Sequence, residues 1–122
     1  MLFTGGGGAA TQALYLLLGG RDEVHFADAD IEAIPYPVRP DRWHQIPFAS
    51  DPEFIESLSL LCRNLGVTLL IPGVDEELLP IANARAVMGC DVLLPPTEFV
   101  KRHLDKLTSN LRLEGLGVPV PR

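Results

Sequence analysis

The chain is short of positive charge. It sets 10 basic residues against 16 acidic ones, a formal net charge of −6. Nucleic-acid binding needs a basic patch to neutralise phosphates, so this balance argues against a nucleic-acid partner. Long apolar runs are also missing. None approaches the roughly 20 residues that span a bilayer, which argues against a membrane segment. The opening residues "MLFTGGGG" lack the charged and long apolar regions of a secretory signal. Cysteine is scarce. Cys62 and Cys90 lie far apart in apolar contexts, without metal-ligand spacing, and read as buried free thiols of a cytoplasmic protein. His25, His44 and His103 are scattered and form no metal motif. G-x-S-x-G and C-x-x-C are absent, and the spacings support no Ser-His-Asp triad.

What remains is a pattern of alternation. The 122 residues match one ordinary domain, and 47% apolar content is enough for a core. Met1–Thr4 reads as a strand, Ala9–Leu18 as a helix stopped by Gly19 and Gly20, and Glu23–Ala27 as a second strand. Asp28–Pro40 is a polar, proline-broken connection, and Arg42–Ile46 gives a weak third strand signal. Ser50–Leu65 is the clearest helix. Ser50 or Asp51 would cap it, Pro52 suits its first turn, and Phe54, Leu58, Leu61 and Leu65 would form its buried face. Val67–Ile71 is an apolar strand suited to a parallel sheet. A helix over Glu76–Met88, a strand over Asp91–Leu94, a helix from Thr97 to His103 and another over Asp105–Glu114 follow, the last closed by Gly115 and Gly117. Strands alternating with helices impose parallel pairing through right-handed crossovers. The expectation is a three-layer α/β sandwich, Rossmann-like, on a five-stranded parallel sheet of order 3-2-1-4-5.

Two stretches carry the functional signals. Gly5, Gly7 and Ala10 fit G-x-G-x-x-[G/A] between a strand and a helix, and Asp28 closes the second strand where an acid would meet a ribose hydroxyl. A tight strand-to-helix turn explains the same glycines equally well. No Lys-Ser/Thr follows, so this is not a Walker A loop. The second stretch, "GVDEELLP", follows the fourth strand at the sheet edge where open α/β proteins bind ligands. Asp75, Glu76 and Glu77 could hold an amine or a guanidinium there. The simpler reading makes Asp75 an N-cap and has both glutamates complement the helix dipole. That reading leads for Glu76 and Glu77, while Asp75 stands even. His25 reads as packed within its strand, and His103 sits near a helix end that welcomes positive charge.

The segments "FTGGGGAATQAL", "HFADAD", "DPEFIESLSLLCRNLGVTLLIPGVDEELLP" and "LDKLTSNLRLEGLGVPVPR" together resemble the N-terminal domain of ATP-grasp ligases. The nearest subgroup is the one similar to the carbamoyl-phosphate synthase large subunit and the pyrrolysine-biosynthesis ligase. The resemblance covers nearly the whole chain. It implies a Rossmann-like pre-ATP-grasp domain over residues 1–103 and the start of an ATP-grasp region over 104–122. Such ligases join a carboxylate to an amine through an acyl phosphate. The implied substrate-side residues are Gly5, Gly6, Gly7, Gly8, Asp75 and Glu76, facing a small-molecule substrate. Lys106 matches a basic residue that contacts nucleotide phosphates. ATP and magnesium would be held by later ATP-grasp domains beyond Arg122, so no catalysis is expected of this chain alone. Two other readings stay open: a Rossmann-type module binding NAD or another nucleotide, and an interaction domain whose glycines are purely structural. Sheet edges or an exposed docking face could also support a homodimer.

Overall fold

The computed structural model describes residues 1–18, 23–33, 35 and 38–121. Five short strands, β1 (Leu2–Thr4), β2 (His25–Asp28), β3 (Trp43–Gln45), β4 (Leu69–Ile71) and β5 (Asp91–Val92), form one sheet of order β3-β2-β1-β4-β5. Every pairing is parallel. Leu2 lies between His25 and Leu70, and Phe26 lies opposite Trp43. The helices are α1 (Ala10–Leu17), α2 (Phe54–Asn64), α3 (Asp75–Asn83), α4 (Thr97–His103) and α5 (Lys106–Gly115). The architecture is the expected Rossmann-like α/β sandwich. The glycines expected to stop α1, Gly19 and Gly20, lie outside the described residues, as do Arg122 and part of the β2–β3 connection.

Alternation along the strands divides the core in two. Leu2, Ala27 and Leu70 face α2 and α3, where they pack with Phe54, Leu58, Cys62, Ile81 and Met88. Val24, Phe26 and Trp43 belong to the other face, against Phe3 and the α1 residues Tyr15 and the adjoining Leu18. Phe26 stacks on Phe3 with ring centroids 5.5 Å apart. Full burial of a side chain such as Phe54 or Leu58 contributes about 1.5–3 kcal/mol, so α2 is firmly anchored.

Element edges differ from expectation where a local side chain takes a different role. The Asp51 carboxylate accepts the Glu53 N–H at 2.8 Å, so the approach to α2 is a turn and the helix itself begins at Phe54. Its buried residues are Phe54, Leu58, Ser59 and Cys62, while Leu61 and Leu65 pack only partly buried. Asp75 is the first residue of α3 rather than its cap, because the N-cap position is Val74. That helix ends at Asn83, and a 3₁₀ turn over Arg85–Val87 replaces its expected last turn. Thr97 does not cap α4. Its hydroxyl donates to the Ala82 carbonyl at 3.2 Å and ties α4 to α3. Asp105 does cap α5, accepting the Leu107 N–H at 3.0 Å and the Thr108 hydroxyl at 2.7 Å. Gly117, at a φ of 78°, closes α5, with the Val118 N–H reaching back to the Leu113 carbonyl at 2.9 Å.

Candidate functional site

In an open parallel sheet the ligand crevice lies beyond the carboxyl ends of the strands, where the strand order reverses. Here that point is the gap between β1 and β4, and the loops after both strands are locked together. The Gly73 N–H donates to Thr4 Oγ1 at 3.1 Å. A Cβ on Gly73 would stand 2.4 Å from the Thr4 carbonyl oxygen, so this close approach requires glycine. The Gly73–Val74 loop that precedes Asp75 therefore meets the glycine turn, while Asp75 itself lines another cavity.

The glycine turn directs its donors inward. The Gly6 N–H bonds the Ala27 carbonyl at 2.9 Å, and the Gly8 N–H bonds Gly5 at 2.9 Å. The Gly7 N–H bonds the Asp28 carboxylate at 2.7 Å. A Cβ on Gly7 would lie 2.6 Å from that of Ala33, so this glycine makes room for the chain after β2. An anion cradle needs free N–H groups, and three consecutive ones are engaged within the protein. Asp28 is committed too, since its second oxygen accepts the Asp30 N–H at 2.9 Å. None of Gly5, Gly6, Gly7 and Gly8 lines the crevice described next; the turn backs two residues that do, Asp28 through the Gly7 N–H and Val74 through close contact with Gly5.

The crevice is a cavity of about 360 Å³ lined by Asp28 and Ala29 after β2, by Phe48, Ala49 and Ser50 before α2, and by Val74, Glu76 and Glu77 at the start of α3. Its volume lies in the range of small-molecule sites, roughly 300–1,000 Å³. Glu77 is its least expected member. The first turn of α3 sends three successive carboxylates in different directions. Asp75 and Glu76 are exposed, but Glu77 turns toward the sheet and is only 6% exposed. The Thr4 hydroxyl, an acceptor for the Gly73 N–H, lies near its carboxylate and favours the charged form. Oε2 of Glu77 is buried without a hydrogen-bond partner. Burial pushes its carboxyl up to about 7. The Thr4 hydroxyl opposes this shift, and the nearby charges of Asp28 and Glu76 add to it.

Asp75 lines a second cavity, of about 180 Å³, with Leu78, Phe99, His103 and Lys106 among its neighbours. The structure thus joins Asp75 to Lys106 and leaves Glu76 with Glu77. Lys106 is exposed on the first turn of α5. His103 stacks on Phe99 at 3.9 Å. On the far strands, His25 and His44 share a hydrogen bond of 2.9 Å, and burial, followed by the neighbouring positive groups, lowers the pKa of both. Burial first, and then the neighbouring Cys90 thiol, pushes the Cys62 thiol up to about 12. Among the described residues, no group of three His, Cys, Asp or Glu side chains is placed to hold a metal ion, and no helix is long and apolar enough to cross a membrane.

No protein-family model matches this chain, and no curated protein matches it significantly.

The sequence pattern had a signal for Glu77. Ile81 is fully buried, and Glu77 sits four residues before it on the same helical stripe. Phe48 and Ser50 carried no comparable signal, because a loop has no period to read.

Proposed function

We propose that this chain is the substrate-side N-terminal domain of an ATP-dependent carboxylate–amine ligase of the ATP-grasp type. The observation that carries the reading is the acidic cavity at the carboxyl edge of the parallel sheet, lined by Asp28 after β2, by the loop before α2, and by Glu76 and Glu77 in the first turn of α3. Four sequence segments resembling that family, in the same order, add to it. In this reading residues 1–103 form the substrate-side domain and residues from 104 onward begin the nucleotide-binding region.

ATP and magnesium supply phosphoryl activation of the carboxylate in reactions of this class. This chain's share is narrower. Lys106 would offer one positive charge toward a phosphate from the cavity it shares with Asp75. That cavity, at about 180 Å³, is below the size of a whole-nucleotide site, so Lys106 acts from the edge. Asp28 and Glu77 charge the substrate cavity, and the glycine turn fixes Asp28 through the Gly7 N–H.

The test is to assay the protein as its gene encodes it for release of ADP from ATP with magnesium, across mixtures of amino acids and small amines. ADP release that depends on both a carboxylate and an amine is the expected result. The absence of any substrate-dependent ADP release would overturn the reading. A dinucleotide module is the second reading, and it finds less support because the Gly7 N–H and both Asp28 oxygens are already paired.

A further inference from the structure

We propose that the cavity at the carboxyl edge of the sheet takes a small ligand carrying a protonated primary amine on a short apolar body, with Glu77 as the partner of the ammonium. The proposal rests on the reading of this cavity as a substrate site and names the class of substrate. Three carboxylates line the cavity and no basic side chain does among the described residues, so its charge selects against anions. The carboxylates are not equivalent. Asp28 has both oxygens on main-chain N–H groups, and Glu76 is exposed, where water screens it. Glu77 is buried, lines the cavity, and has Oε2 without a partner. A buried carboxylate oxygen left unpaired is costly, and an N–H cation is the partner that best removes that cost.

The geometry also narrows the cation. Oε2 is the one oxygen of the Glu77 carboxylate that is buried without a hydrogen-bond partner. A guanidinium is best held by two oxygens in a fork, whereas an ammonium is a point charge that one oxygen can hold. Ala29, Phe48, Ala49 and Val74 supply an apolar wall for the ligand's body. The exposed Phe48 ring can close over an alkyl chain or face the cation. An ammonium paired with a carboxylate keeps its proton and is no nucleophile. This amine is therefore a recognition handle, and the ligand's reacting group lies elsewhere.

The experiment is an NMR titration of the isotope-labelled chain with n-butylammonium, and in parallel with 1-butanol and butyrate, at about pH 8 where Glu77 is ionised. Butylammonium should give saturable shifts at the amides of Ala29, Val74 and Glu77, with an affinity in the millimolar range usual for so small a ligand. It should bind at least tenfold more tightly than butanol, and butyrate should not bind. Glu77→Gln should remove that preference while butanol still binds, and Glu56→Gln, an exposed acid outside the cavity, should change it less than threefold. Equal binding of amine and alcohol, no binding of the amine, or an undiminished preference in Glu77→Gln would each overturn the proposal. The comparison of amine with alcohol uses wild type alone, so it stands even where a variant folds poorly. No ATP enters the titration. An amine preference without ATP turnover would remove the ligase reading alone, and ATP turnover without the preference would remove this proposal alone.

Discussion

Glu77 concentrates the chemistry of the site in one side chain, and its protonation should be measurable as stability. The carboxyl, pushed up to about 7 from an ordinary 4.5, holds its proton more tightly in the folded chain than in the unfolded one. As pH rises from about 4.5 to 7, the unfolded chain has released a proton that the folded chain still holds, so stability falls through that window. The loss reaches roughly 3 kcal/mol once the pH passes 7. His25 and His44 act in the opposite sense. Their lowered values cost stability as pH falls below the ordinary histidine range. Comparing wild type with Glu77→Gln cancels the histidines. Urea unfolding across this range should show the stability difference shifting in favour of the glutamine variant by up to about 3 kcal/mol between pH 4 and 8. Parallel curves would mean that Glu77 titrates as an ordinary surface acid. Composition marks an acidic triplet here without ranking its members. Successive helical residues point about 100° apart, and which one faces the sheet depends on how α3 docks. The Ile81 stripe is the sequence feature that resolves this, because it ties Glu77 to a residue already required by the core.

At the level of elements, caps and periods were the legible parts and boundaries were less so. Asp105 reads as a cap and acts as one, because the carboxylate needs only its own next turn. Thr97 reads as a cap but bonds to α3, a partner 15 residues away that no local pattern announces. The strand at Trp43–Gln45 gave a weak signal because it is short and sits at the sheet edge, yet Trp43 is buried against Phe26 and its neighbours. The helices also differ in how much of each is buried. Four of the α2 residues are buried, while α5 has none, with Leu107 and Leu111 more than half exposed. Local opening is cheap where little apolar surface is buried. Amide hydrogen exchange should therefore show α5 opening at a free energy several kcal/mol below that of α2. Equal protection of the two helices would show that α5 is held by contacts beyond those of this fold. In the ligase reading, the exposed leucines of α5 are where the nucleotide-binding region continues the structure.

The whole molecule was the most legible level. Alternating strand and helix signals point to parallel pairing through right-handed crossovers, and of the doubly wound orders that satisfy this the sheet adopts the expected 3-2-1-4-5. That order alone places a ligand crevice beside β1. It does not say what the crevice binds, because the same sheet serves many chemistries. Dinucleotide binding is the alternative that the fold most readily suggests, and the glycine turn is where it can be tested. A pyrophosphate would need N–H groups at Gly6 to Gly8, and these donate to Ala27, Asp28 and Gly5. A ribose would need free oxygens on Asp28, and both accept main-chain N–H groups. The net charge of −6 adds a further cost for a ligand bearing two phosphates. Binding NAD would therefore require breaking the Gly7–Asp28 bond. Breaking a charge-assisted bond of this kind costs about 1.5–3 kcal/mol, roughly ten- to a hundredfold in affinity. Calorimetric titration of the chain with NAD and NADP should accordingly show no binding tighter than about 1 mM. Micromolar affinity for either dinucleotide would mean that the glycine turn opens to release its donors. The function would then be that of a dinucleotide module.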